Sequence, residues 1–244
     1  MILRPLRWLY FRFLLSQTAG VICYSTFESK FLSDLFGLAK TIFASTLYGG
    51  NFNIPKDLLI KQGGKPSYIV SAGRSGRDYG LLCEAVKDLS VKLHIICDSS
   101  HAMKGLKCPS NVTILRDCHG LSYIQELAGA DIVLLPLKED KVSSGQMVLL
   151  DAMALGKAVI ITETVTTVEY GEHLKTCYFV KLGSVDEIRT AINFIYENLY
   201  IMESIGHEGK QRYANFHSIE PFVSSLVEAI ELIAQKAARN EASV

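Results

Sequence analysis

Lys141-Val142-Ser143-Ser144-Gly145-Gln146-Met147-Val148-Leu149-Leu150-Asp151-Ala152-Met153-Ala154-Leu155-Gly156-Lys157 is the stretch around which this chain is organised. An apolar strand, Asp131 to Pro136, runs into a polar loop that ends in Ser143, Ser144 and Gly145. Those residues open a helix, Gly156 closes it, and a second apolar strand, Ala158 to Thr162, follows at once. A strand, a Ser/Gly loop and a helix N-terminus together make an anion site. The first helical amides have no partner within the helix, and the macrodipole adds partial positive charge there. The spacing therefore predicts a phosphorylated ligand at this loop.

Individual residues sharpen that expectation. Ser143 and Ser144 offer hydroxyl donors and caps, Gly145 permits close backbone approach, and Gln146 hydrogen-bonds in both directions. Asp151 lies about 12 Å along the helix from Ser143, at roughly 1.5 Å per residue. A carboxylate in an otherwise apolar helix needs partners, which a sugar diol would supply. The plainer alternative is that Ser143 only caps the helix and Asp151 pairs with a lysine.

The segments around this stretch alternate. Tyr68 to Ala72, Lys92 to Cys97, Val112 to Leu115 and Cys177 to Val180 read as further strands. Tyr79 to Leu89, Leu121 to Gly129 and Val185 to Tyr196 read as helices between them, the last opened by a capping box, Ser184 to Glu187. Two more helices, about 198–214 and 219–237, close the chain. This alternation predicts an α/β fold, a Rossmann-like parallel sheet with helices on both faces. Ligands in such sheets bind outside the carboxyl ends of the strands, where the loops after Ala72 and Pro136 both lie.

The first of those loops, Ser71-Ala72-Gly73-Arg74-Ser75-Gly76-Arg77-Asp78-Tyr79-Gly80, sets two guanidiniums beside two glycines. Arg74 and Arg77 suit phosphate oxygens; the alternative is a surface loop whose arginines pair with carboxylates such as Asp78. A second anion-seeking loop at the same edge favours phosphate. Neither the GxGxxG spacing nor the Walker lysine pattern is present.

Before Ser67 the chain reads differently. Leu3 to Ser16 is a helix, Gly20 to Tyr24 a short strand, and Ser25 to Glu28 a capping box opening a helix that Gly37 ends. Thr41 to Ser45 is extended, and Gly49-Gly50 and Gly63-Gly64-Lys65-Pro66 have linker character. Arg4, Arg7 and Arg12 interrupt the apolar N-terminus, which argues against a signal peptide. The same basic, aromatic segment suits a membrane surface or a helix packed on another element.

Bulk properties exclude several classes. The 244 residues are 49% hydrophobic with zero formal net charge, which argues against broad nucleic-acid binding, since that needs a basic field. No run of 18 apolar residues suggests a membrane span. The six cysteines are scattered without C-x-x-C, which favours reduced thiols in a cytoplasmic protein and gives no zinc pattern.

Residues 67–235 resemble the C-terminal, nucleotide-sugar-binding domain of GT-B fold glycosyltransferases, most closely the retaining glycosyltransferase family four. Tyr68 to Gly80 resembles that family's strand-Gly-Arg loop. Asn111 to Asp131 can be laid over its next segment without a gap. Leu149-Leu150-Asp151-Ala152-Met153-Ala154-Leu155-Gly156-Lys157-Ala158-Val159-Ile160 is similar to its L-L-E-A-M-A-x-G-x-P-V-I run. The resemblance implies transfer of a sugar from a nucleotide-diphosphate donor to an unknown acceptor, with retention, and with neither a cofactor nor a metal. It places Gly73, Arg74 and Arg77 at the diphosphate, with Arg77 replacing a usual lysine. Arg116 and Cys118, in the loop Leu115 to Cys118, would border the base. Ser144, Gly145 and Gln146 would hold diphosphate or sugar, and Asp151 the ribose hydroxyls. Ser143 stands where the family has a glutamate that touches the donor sugar. Glu169 matches the glutamate of the family's next loop, but Val165, Thr166 and Thr167 replace the preceding glycines.

Ala19 to Ser25 with Phe27-Glu28 resembles the end of the family's N-terminal acceptor domain. The expected organisation is thus 1–48 as a remnant of that domain, 49–66 as linker, 67–237 as the nucleotide-sugar domain and 238–244 as tail. A chain so organised would be a fragment, a protein that needs a partner chain for the acceptor half, or a nucleotide-sugar binder without transferase activity. A GT-B epimerase is a further option. The expected location is the cytoplasm, with peripheral contact at the inner membrane face through residues 1–16 as an added possibility.

Overall fold

The structure is a computed structural model that describes residues 3–50, 68–99, 102 and 104–241. By contacts the chain divides into two units, Met1–Gly50 with Phe216–Val244, and Asn51–Asn215. The sequence reading carried the second domain to 237, so the difference lies in the last helix. Apart from Gly49 and Gly50, the expected linker falls outside the described residues.

The larger unit holds six strands: β3 (Tyr68–Ala72), β4 (Lys92–Ile96), β5 (Val112–Leu115), β6 (Ile132–Leu135), β7 (Ala158–Thr162) and β8 (Tyr178–Val180). All neighbours pair in parallel, in the order β5-β4-β3-β6-β7-β8. The order reverses between β3 and β6, so the crevice of a doubly wound sheet opens at the carboxyl ends of those two strands. The fold is the expected α/β, Rossmann-like sheet. β3, β6 and β7 are buried along their whole length, which is why they read as continuous apolar runs rather than alternating ones.

The helices of this unit are α3 (Tyr79–Val86), α4 (Leu121–Gly129), α5 (Gln146–Ala154), α6 (Thr167–Tyr170), α7 (Val185–Glu197) and α8 (Leu199–Arg212). On one face, Leu82, Ala85 and Val86 of α3 and Ile188, Ala191, Ile192 and Ile195 of α7 pack with Ile69, Leu93, Ile95, Ile132, Leu134 and Ile160 of the sheet. α4 lies on the other face, where the Tyr68 hydroxyl donates to the Glu126 carbonyl at 2.9 Å. Ser184 caps α7 by accepting from the Glu187 amide at 3.2 Å, as the capping box predicts. A Cβ on Gly206 of α8 would meet the Gly156 carbonyl oxygen at 2.3 Å. That helix therefore packs against backbone, which only glycine allows.

The smaller unit contains α1 (Leu3–Ser16), β1 (Val21–Cys23), α2 (Thr26–Phe36), β2 (Phe43–Ser45) and α9 (Ile219–Glu241). β1 and β2 pair in parallel across the α2 crossover. Ser25 accepts from the Glu28 amide, and Gly37 ends α2 at φ 58°. Ile22 and Ala44 pack against Ala229 and Ile233 of α9. This contact explains why the last helix groups here: helical periodicity fixes its apolar face but not the surface that covers it. All six cysteines are free thiols.

Candidate functional site

The loops after β3 and β6 are joined by backbone. Asp78 N–H donates to the Pro136 carbonyl at 2.9 Å, and Lys138 N–H donates to the Gly76 carbonyl at 2.9 Å. Arg77 and Leu137 form an antiparallel bridge. The carboxylate of Asp78 caps α3, accepting from the Leu81 amide at 3.0 Å. Among the described residues it forms no ion pair with Arg74 or Arg77.

The two arginines part company. Arg74 stays exposed and pairs with Asp98 at 2.8 Å. Arg77 turns inward and is only 5% exposed. Its Nε donates to the Ala72 carbonyl at 2.9 Å and one terminal nitrogen to the Ser75 carbonyl at 3.1 Å. Gly73 makes the space: a Cβ there would stand 2.8 Å from the guanidinium, and φ is +130°. Among the described residues no carboxylate forms an ion pair with Arg77. Burial pushes its guanidinium below the ordinary arginine range, opposed by Tyr79 and Tyr123.

The guanidinium also faces the start of α5. A Cβ on Gly145 would lie 3.7 Å from it, and one on Gly76 would lie 2.7 Å from the Ser144 hydroxyl. Here the structure departs from the sequence reading. The N-cap of α5 is Gly145, at φ 92°, and no side chain caps the helix. Ser143 and Ser144 are loop residues, not caps. The first amides of α5 therefore keep no side-chain partner at the edge where Arg77 sits.

Buried polar atoms mark the same stretch. Ser143 Oγ, Gln146 Nε2 and Asp151 Oδ1 are buried and bond to no atom of the described chain. Asp151 pairs with no lysine. Its other oxygen accepts from the Tyr123 hydroxyl at 2.6 Å. Burial pushes the Asp151 carboxyl up to about 6, while the Tyr123 bond pulls it down. Tyr123, on α4, is itself raised by burial and by Asp151, and it lies within the influence of Arg77. The half-buried Tyr123 thus bonds to the buried Asp151 and lies in the field of the buried Arg77. Sequence reasoning missed Tyr123, because only the packing of α4 beside α5 brings it to Asp151. The one signal was the bare requirement that a buried carboxylate have a donor.

The remaining expected residues are less engaged. Arg116 is exposed after β5, and Cys118 is half-buried with its thiol raised, mainly by burial. Glu169 lies in α6, where its carbonyl accepts from Arg212 at 3.1 Å. The threonines in place of the family's glycines are structural. Thr167 Oγ1 donates to the Thr162 carbonyl at 2.9 Å and accepts from the Thr164 amide at 2.8 Å. Among the described residues no three His, Cys, Asp or Glu side chains are grouped to hold a metal ion.

The family model for group 1 glycosyl transferases matches residues 67–198. The chain belongs to that family. No curated protein matches the sequence significantly. Solved structures of glycosyltransferases share the fold of this group 1 member. A glycosyltransferase from Rickettsia africae matches with a TM-score of 0.72 at 15% identity, over 92% of this chain and 67% of its own. Anabaena HepE, solved with UDP and glucose, matches with 0.74 at 16%, over 88% and 63%. Sucrose-phosphate synthase from Thermosynechococcus elongatus matches with 0.77 at 16%, over 95% and 62%. The chain thus spans about two thirds of the length of these GT-B neighbours.

Proposed function

We propose that the larger unit binds a nucleotide-diphosphate sugar and serves a retaining hexosyltransferase, with an unknown acceptor. The observation that carries this reading is the buried, carboxylate-free Arg77 facing the uncapped start of α5, beside the unpartnered polar atoms of Ser143, Gln146 and Asp151. A diphosphate would neutralise the arginine and accept from the α5 amides. Ser144, Gly145 and Gln146 would hold diphosphate or sugar, Asp151 the ribose, and the loop with Arg116 and Cys118 the base. Arg74 would reach the diphosphate by leaving Asp98. Rate enhancement would rest on positioning and on stabilising the leaving diphosphate, with no metal or organic cofactor in the scheme. The UDP and glucose bound by HepE support a nucleotide-sugar ligand by likeness of fold alone. The site would work in the cytoplasm. Calorimetric titration with UDP- and GDP-sugars is expected to show binding by the isolated chain, with transfer weak or absent. Absence of nucleotide binding to the folded protein refutes the reading.

A second reading, an interaction module that assembles with a partner chain, is favoured by α1. Leu6, Leu9, Tyr10 and Phe13 are each more than half exposed. At 100° per residue they share one stripe, opposite Trp8 and Arg12, which bond to the Leu35 and Phe36 carbonyls of α2. No helix among the described residues is long and apolar enough to cross a membrane. Gel filtration after co-expression with the product of the adjacent reading frame is expected to yield a stoichiometric complex. Flotation with anionic vesicles instead would assign the stripe to a membrane surface.

A further inference from the structure

We infer that Tyr123 positions Asp151 so that its carboxylate binds one hydroxyl of the ligand's vicinal diol more strongly than the other. The inference rests on the donor-site reading and deepens it. A free carboxylate has two oxygens, each of which can accept from one of two neighbouring hydroxyls. In Asp151 the two oxygens are unequal. Oδ2 already accepts from the Tyr123 hydroxyl at 2.6 Å, within the range of a charge-assisted O–H···O bond, and has one lone pair left. Oδ1 is buried and has no partner in the described chain.

The tyrosine also fixes where that oxygen points. The carboxyl sits on α5, where Leu149, Leu150, Ala152 and Met153 are buried around it. The hydrogen bond from α4 to α5 then sets the carboxylate plane. Arg77, the cation assigned to the diphosphate, lies within electrostatic reach of the Tyr123 hydroxyl that orients the diol acceptor. Tyr123 need not touch the ligand; it acts through Asp151.

The test uses UDP, or GDP if the wild-type chain binds only GDP, with the 2′-deoxy and 3′-deoxy form of whichever is used. Calorimetry with wild type and Tyr123→Phe gives six affinities. In the wild type one deoxy form should lose tenfold or more and the other less than about threefold, because the unpartnered Oδ1 is a stronger acceptor than an Oδ2 already bonded to Tyr123. In Tyr123→Phe the freed Oδ2 lets both hydroxyls count, so the two losses should come within about threefold of each other. A tyrosine that merely braced the fold would change all three affinities together and leave their ratios alone. Equal losses for the two deoxy forms in the wild type overturn the inference while leaving the donor site standing, even if the variant does not fold. An unchanged ratio in a folded Tyr123→Phe also overturns it. Failure of the wild type to bind either nucleotide instead sinks the donor-site reading, and this inference with it.

Discussion

Asp151→Asn is expected to raise thermal stability above pH 6 while weakening nucleotide-sugar binding about 10- to 100-fold. The carboxyl is buried, and desolvation lifts it from an ordinary 3.8 to about 6 against the opposing pull of Tyr123. A group raised in the folded state stabilises the fold fully below its unfolded value and loses that contribution as pH rises through the folded value. At pH 7 and above, holding Asp151 ionised therefore costs about 1–3 kcal/mol. Asparagine removes the charge and keeps a carbonyl oxygen for Tyr123. The advantage of the variant should be absent near pH 4, grow between pH 4 and 7, and then level off. Scanning calorimetry at three pH values reads this directly. Binding should move the other way, because a charged acceptor contributes roughly 1.5–3 kcal/mol to a buried hydrogen bond. Glu139→Gln, on the exposed part of the loop, is the control. Equal donor affinities for the two variants would remove Asp151 from the site, and a flat difference in melting temperature across pH would show that its carboxyl titrates normally.

That opposition between stability and binding was half visible in the sequence. A carboxylate inside Leu149-Leu150-Asp151-Ala152-Met153 breaks the local pattern, and such breaks tend to mark function. Its partner was not visible, since Tyr123 lies 28 residues away on a helix whose own pattern is ordinary. The fold was legible for a simple reason. β3, β6 and β7 are short, fully buried and bounded by glycine or by loops, so their apolar runs had no competing helical reading. The strand order that places the β3 and β6 loops at one switch point is not a local property and came only from the structure. Ser143 shows the opposite failure. A serine two residues before Gly145 carries the same signal whether it caps a helix or lines a site, and here the positive φ of Gly145 takes the cap position.

Arg77 is where the largest loss of binding should fall. Two arginines three residues apart in a glycine loop look alike in sequence, yet Arg74 faces solvent and Asp98 while Arg77 is buried against the Ala72 and Ser75 carbonyls. A guanidinium so placed, without a carboxylate, is costly unless an anion completes it. Arg77→Met keeps the apolar stem and removes both the charge and the carbonyl donors. Two carbonyls left without their donor should destabilise the fold by about 1–3 kcal/mol, partly offset by relief of the desolvated cation. Loss of a buried charge partner for the diphosphate should lower UDP-sugar or GDP-sugar affinity about a thousandfold, equivalent to roughly 4 kcal/mol. Arg77→Lys should recover part of this, since the charge returns without the planar fork that reaches two carbonyls at once. The decisive comparison is with the nucleoside alone, uridine or guanosine, which carries no phosphate. If Arg77 binds the diphosphate, nucleoside affinity stays within about threefold of wild type while nucleotide affinity collapses. If both fall together in a variant that still folds, Arg77 is only a brace for the loop between β3 and α3, and the charge for the leaving diphosphate must come from Arg74 and the α5 amides.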